Sequence, residues 1–328
     1  MRSIRPRPAQ PATVSREAGE GGERSELDEG RRRAMTAIPR AAIAAQLAQA
    51  GYVADRDLAT ALWMMDLLSR PLLIEGEAGV GKTEVAKALA KVHGCELIRM
   101  QCYEGLDANS ALYEWNYQRQ LLAIKAREGS GAAASEVEAH IFSEEYLLER
   151  PLLAAIRREE SPVLLVDEVD RADEEFEAFL LELLSDFQVT IPEFGTIAAR
   201  SIPRVVLTSN GTRELSDALR RRCLYHYLDF PDVDREAAII LMREPGIDAN
   251  LALQIARMVG LLRKEDLRKV PGVAETLDWA ATLAGLGVED LRAAPELVYE
   301  TLIALLKTQE DRARVTREVA ERILGKVA

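Results

Sequence analysis

Gly76-Glu77-Ala78-Gly79-Val80-Gly81-Lys82-Thr83 fits the pattern G-x-x-x-x-G-K-[ST] at every fixed position. An apolar run, Pro71-Leu72-Leu73-Ile74-Glu75, precedes it, and a helical stretch from Glu84 to Val92 follows. A glycine-rich turn could match such a pattern by chance, but the strand before it and the helix after it argue otherwise. Glycines let the loop take positive φ and turn successive backbone N–H groups inward, a nest for phosphate oxygens. The helix opening at Glu84 points its positive end at the same place. Lys82 would reach the β- and γ-phosphates of ATP, and the Thr83 hydroxyl would ligate Mg²⁺.

Four more short apolar runs recur along the chain, separated by helical stretches. They are Glu96-Leu97-Ile98-Arg99-Met100, Val163-Leu164-Leu165-Val166, Arg204-Val205-Val206-Leu207-Thr208 and Tyr225-His226-Tyr227-Leu228-Asp229. Continuous apolar strands alternating with helices predict an α/β fold with a parallel five-stranded sheet. Residues 38–69 carry apolar side chains at helical spacing. After Pro231 the strand pattern stops, and residues 231–328 read as an all-helical domain with breaks at Pro245-Gly246, Pro271-Gly272 and Pro295. The nucleotide-binding α/β core is thus expected over 37–230. Residues 1–36, rich in Arg, Glu, Gly and Pro, lack the apolar side chains to offset their ordering entropy and read as a disordered arm. Met35 sits where the folded pattern starts, so the arm being no part of the natural protein stays open as an alternative.

The net charge of −12 disfavours nucleic acid as a partner, although a pore can hide basic loops. Three cysteines without CxxC spacing and three scattered histidines give neither a disulfide framework nor a zinc pattern. No apolar run approaches the roughly 18 residues that span a bilayer. These features predict a cytoplasmic protein with no membrane partner.

Asp167 and Glu168 end the third apolar strand, which places both acids at the carboxyl edge of the sheet beside the phosphate loop. Asp167 would hold Mg²⁺, directly or through water, and Glu168 would orient and deprotonate the attacking water. Acids often end strands merely to stay solvated; combined with the phosphate loop, the pair predicts ATP hydrolysis. Asn210, just after the fourth strand, could hydrogen-bond both the water and the γ-phosphate. Arg220-Arg221-Arg222 precede the fifth strand. One reading is an arginine inserted into a neighbouring subunit's ATP site. The other is a basic helix end favoured by the helix dipole.

These residues together resemble AAA+ ATPases, and the text between them resembles the MoxR family, its CoxD branch in particular. The resemblance is carried by Gln101-Cys102-Tyr103-Glu104-Gly105, Arg150-Pro151-Leu152-Leu153 and Asp167-Glu168-Val169-Asp170-Arg171-Ala172-Asp173. Ile191-Pro192-Glu193-Phe194-Gly195, Leu215 to Cys223 and Pro271 to Trp279 add to it. It runs from about residue 40 to 325. It implies a helical lid and a homo-oligomeric ring, usually a hexamer, with ATP between subunits. It implies an insert in the second helix at about 105–145 and a hairpin before the sensor strand at about 188–201. It makes Arg222 the preferred arginine finger, with Arg221 second. It also implies a chaperone-like role in maturing a molybdenum hydroxylase of the carbon monoxide dehydrogenase type, beside a partner with a von Willebrand A domain. Many relatives carry a lid arginine in Ser-Pro-Arg; the comparable stretch here is Gly272-Val273-Ala274-Glu275, and Arg268 or Lys269 are the candidate substitutes. Two other classes compete: a nucleic-acid-associated AAA+ motor, and a small-molecule kinase, against which the helical domain and the Asp-Glu pair argue.

Overall fold

The computed structural model describes residues 38–127 and 134–327; the arm expected at 1–36 lies outside them. Two helices, α1 (Arg40–Gln49) and α2 (Arg56–Leu68), precede β1 (Leu72–Glu75), which leads through the glycine-rich loop into α3 (Lys82–His93) and then β2 (Leu97–Gln101). Next come α4 (Ala108–Leu112), β3 (Tyr113–Trp115), α5 (Tyr117–Arg127), α6 (Ala134–Ile141), β4 (Leu147–Glu149) and α7 (Pro151–Arg157). The α/β part continues with β5 (Val163–Asp167), α8 (Glu174–Asp186), β6 (Gln188–Ile191), β7 (Gly195–Ala198), β8 (Arg204–Ser209), α9 (Asp217–Arg222) and β9 (Leu224–Tyr227). Only helices follow: α10 (Val233–Arg243), α11 (Ala249–Leu262), α12 (Val273–Gly285), α13 (Pro295–Thr301), α14 (Gln309–Arg314) and α15 (Arg317–Leu324).

The five apolar runs form one parallel sheet in the order β2-β5-β8-β1-β9, with Leu73 opposite Leu207 on one side and Tyr225 on the other. Parallel strands need helical crossovers, so the inner strands β5, β8 and β1 are covered on both faces and almost wholly apolar, whereas the edge strands β2 and β9 alternate exposed residues with buried or half-buried ones. Period-two alternation divides the core. Leu72, Ile74, Leu165 and Val206 pack against α1, α2 and α3, whereas Leu73, Met100, Leu164, Val166 and Leu207 face α7 and α8. All strands point the same way, so their carboxyl ends share one edge. This is the AAA+ arrangement of a phosphate-loop α/β sheet followed by a helical region.

Two small antiparallel ribbons stand off the main sheet. One pairs β3 with β4 (Trp115 opposite Leu147), and Trp115 packs edge-on against Phe142 with ring centroids 5.2 Å apart. The other pairs β6 with β7, burying Val189 and Ile191. The helical region has its own apolar cluster around Trp279, which is fully buried with its indole N–H donated to Thr301 Oγ1 at 2.8 Å. Among the described residues no helix is long and apolar enough to cross a membrane.

Candidate active site

Each glycine of the loop has a separate physical reason. A Cβ on Gly76 would lie 2.2 Å from the Leu228 carbonyl oxygen, so only hydrogen fits where β1 passes the chain leaving β9. Gly79 and Gly81 sit at φ of 84° and 98°, a region side chains rarely adopt. Gly79 also touches the helical region: its carbonyl oxygen accepts the Val273 N–H at 2.8 Å, and a Cβ on either Gly79 or Gly272 would meet the other's Cα at under 3 Å.

The loop borders a cleft of about 530 Å³, closed on the far side by α10 and α12. Ala78, Gly79, Val80, Gly81, Lys82, Thr83 and Glu84 line it; Gly76 and Glu77 lie behind. Its wall away from the acids is largely apolar, built from Tyr52, Val53, Pro231, Ile239, Met242 and Leu277. Arg235 ties that wall to the lid, donating to the Val53 carbonyl at 3.1 Å and to Asp55 Oδ2 at 2.8 Å. Burial pushes the Tyr52 phenol up to about 12, so it stays neutral.

At the other end the acids and the lysine meet. Lys82 Nζ donates to the Gly76 and Glu77 carbonyls at 2.7 and 2.8 Å and to Asn210 Oδ1 at 2.8 Å. Asn210 Nδ2 lies 3.3 Å from Glu168 Oε1. Burial holds the Lys82 ammonium below the ordinary lysine range despite Asp170 and Asp167 nearby. Thr83 Oγ1 is 3.2 and 3.3 Å from the two Asp167 oxygens. A hydroxyl beside a buried carboxylate is a hard-oxygen donor pair that suits Mg²⁺, with phosphate and water to complete six ligands. Among the described residues no group of three His, Cys, Asp or Glu could hold a metal alone. Glu168 stands in the left-handed backbone region, at φ 55°, unusual for a glutamate. Its N–H is anchored on Thr208 Oγ1 at 2.9 Å, and that hydroxyl donates to Asp167 Oδ1 at 2.5 Å.

Three residues of the site escaped the sequence reading. Arg99 on β2 ion-pairs with Asp167 at 2.6 Å, and Gln101 Nε2 donates to Glu168 Oε2 at 2.8 Å. In-register pairing sets Gln101 opposite Asp167, bringing both β2 side chains to the acids. The alternation of buried Ile98 and Met100 with exposed Arg99 and Gln101 was the available signal; the strand order was not. Asp170 is the third. It accepts the Asn210 N–H (3.2 Å) and the Thr212 N–H (3.0 Å) and hydroxyl (2.6 Å) on one oxygen. Burial would raise its pKa, but these donors, Thr212 first, hold it below the usual carboxylate range.

The arginine run lies apart from its own chain's cleft. Arg220 approaches Glu75 at 3.5 Å, Arg221 is exposed, and Arg222 Nε donates to Ser185 Oγ at 2.7 Å. Arg70 donates to the carbonyls of Arg221, Arg222 and Cys223, satisfying the end of α9. The substitutes named for a lid arginine are not at the cleft: Arg268 pairs with Glu310, and the Arg268 and Lys269 N–H groups bind Asp311. The lid cations that line it are Arg235 and Arg243, the latter 3.3 Å from Glu84.

A parallel sheet with a phosphate loop after one strand and an acid pair after another defines a P-loop nucleotide-binding domain. Residues 71–223, a little under half of the chain, match the family described as AAA domain (dynein-related subfamily). An uncharacterized protein of Staphylococcus aureus is 25% identical over 227 residues, 67% of this chain and 76% of its own length. One from Staphylococcus epidermidis is 24% identical over 264 residues, 77% of this chain and 90% of its own length. Among solved structures, the Thermotoga maritima RuvB Holliday junction branch migration motor aligns at TM-score 0.40 and 19% identity, covering 75% of this chain and 66% of that one, just under two thirds. A Cytophaga hutchinsonii protein aligns at TM-score 0.43 and 16% identity, over 92% of this chain and 98% of its own.

Proposed function

We propose that the chain hydrolyses ATP as a subunit of an AAA+ ring and uses the energy to remodel a protein client. The observation that carries the hydrolytic part is the contact chain Lys82–Asn210–Glu168, which sets a phosphate-binding cation, a polar sensor and a general base side by side. ATP would lie with its base against the apolar wall and its phosphates on the N–H groups of residues 78–83, drawing Lys82 off the Gly76 and Glu77 carbonyls. Mg²⁺ held by Thr83 and Asp167 would neutralise phosphoryl charge. Glu168 would accept the proton of the attacking water, and Asn210 would hold that water against the γ-phosphate.

Glu168→Gln should therefore still bind ATP while turnover falls by about 10²- to 10⁴-fold, the usual worth of a positioned base. Lys82→Ala should lose nucleotide binding itself. Phosphate release and fluorescent-nucleotide binding measure the two, and near-normal turnover in the Gln variant removes Glu168 from the role.

The ring reading is supported by Arg221 and Arg222, exposed and away from their own cleft. Arg222→Ala should keep ATP binding and lose hydrolysis, by roughly 10³- to 10⁵-fold if it acts as a supplied arginine finger. Mixing it with Lys82→Ala subunits should restore turnover, because an intact loop can then face an intact finger. No rescue, with subunit exchange demonstrated, ends the proposal. The MoxR and CoxD resemblance supports the finer reading: a protein client of molybdenum-hydroxylase type, with a von Willebrand A domain partner. Client capture by the Glu168→Gln variant tests it, and ATPase stimulation by DNA would favour the nucleic-acid motor instead.

A further inference from the structure

Asp167, the carboxylate proposed to hold the divalent cation, is already taken by a cation of the chain itself. Arg99 Nη2 and Nε both donate to its Oδ2, at 2.6 and 3.1 Å, while Oδ1 accepts the Thr208 hydroxyl at 2.5 Å. Thr83, the other candidate ligand, turns its hydroxyl onto the same carboxylate. Both oxygens of Asp167 thus already accept hydrogen bonds from within the chain.

The two partners differ in freedom. The Asp167 side chain is 5% exposed and fixed on the central sheet, whereas that of Arg99 is 50% exposed and lines the cleft. Arg99 also donates to Gln101 Oε1 at 2.8 Å, a second acceptor on its own strand. It can leave Asp167 without opening the core and without becoming unpaired. A buried carboxylate without any cation is costly, so something must neutralise Asp167 whenever no metal is bound. Phosphates entering the cleft give a guanidinium a competing anion, which weakens its hold on Asp167.

We propose that Arg99 is a displaceable counter-ion at Asp167 that keeps divalent cations out until nucleotide is present, so that metal and nucleotide enter together. Arg99 is then a positioning residue, and the inference rests on the reading of Asp167 as the metal carboxylate. An Arg99 that orients Asp167 for a metal, rather than competing with it, would instead weaken metal binding when removed.

Mn²⁺, followed by the electron paramagnetic resonance of the free ion, is the probe, with the full chain and no nucleotide. Arg99→Gln should bind Mn²⁺ about 10- to 100-fold more tightly than the unchanged chain, the range that a hydrogen bond to a charged group commands. Arg99→Lys, which keeps a cation beside the carboxylate and guards against a folding failure of the first variant, should fall between them. With saturating ADP the difference between Gln variant and unchanged chain should narrow. Equal or weaker Mn²⁺ binding by Arg99→Gln without nucleotide overturns the proposal, because Arg99 then either neutralises passively or orients Asp167 for the metal. Asp167→Asn, measured with ADP, separates the two readings: undiminished Mn²⁺ binding there discards Asp167 as metal ligand, whatever Arg99 does.

Discussion

Polar and charged side chains meet at the phosphate edge of the sheet and again at the root of the helical lid, and the arginines of the two places are held in opposite ways. At the edge Arg99 on Asp167 and Gln101 on Glu168 are exposed to the cleft, while their acid partners are more deeply set. In the lid both partners are buried. Arg263 binds both oxygens of Glu236 at 2.6 and 2.7 Å, reaches the Pro271 carbonyl at 2.9 Å, and stacks 4.5 Å over the Phe230 ring. Thr276 donates its hydroxyl to the same glutamate at 2.8 Å. The side chains of Arg263 and Glu236 are only 8% and 1% exposed. Arg99 stays accessible on its carboxylate, whereas Arg263, which fixes geometry, is sealed and saturated. The lid network joins α10, α11, α12 and the exit from β9, and so fixes where Gly272 meets the phosphate loop.

The largest effect should therefore come from the lid. Arg263→Ala leaves Glu236 charged and buried, which costs about 3–5 kcal/mol in comparable sites. The exposed pair Arg268–Glu310 should contribute no more than about 0–1 kcal/mol. Urea unfolding of Arg263→Ala and Arg268→Ala ranks the two, and equal losses would break the contrast between a sealed pair and an exposed one.

A smaller effect should follow where lid and edge meet. Gly272 has an ordinary backbone conformation, φ −84°, so its constraint is purely steric. A Cβ there would stand 2.8 Å from Gly79 Cα and 2.9 Å from its carbonyl oxygen. Gly272→Ala should push α12 off the loop at a cost of about 1–3 kcal/mol, typical of overpacking. The loss should appear mainly as weaker nucleotide binding, since the lid cluster around Trp279 is untouched. Unchanged affinity for ADP, by isothermal titration, would show that the lid contact lies outside the binding site.

The phosphate loop, the acid pair and all five strands could be read from the chain alone, because local pattern fixes them. A loop that must wrap phosphate needs glycine at set places, and a strand buried on both faces must be apolar throughout. Asn210 likewise follows an apolar run, and the fold sets it beside Lys82 and Glu168. Arg99, Gln101 and Asp170 could not be read that way, because their roles depend on which strands are neighbours. β2 lies beside β5 only in the folded sheet, 66 residues from Gln101 to Asp167 in register across it. The lid shows the same division. Its helices were visible as periodicity, but that Arg235 and Arg243 face the cleft while Arg268 pairs elsewhere was decided by helix packing. Backbone and burial requirements act over a few residues and leave a trace in sequence. The pairing of charges acts across space, and only the assembled sheet and lid specify it.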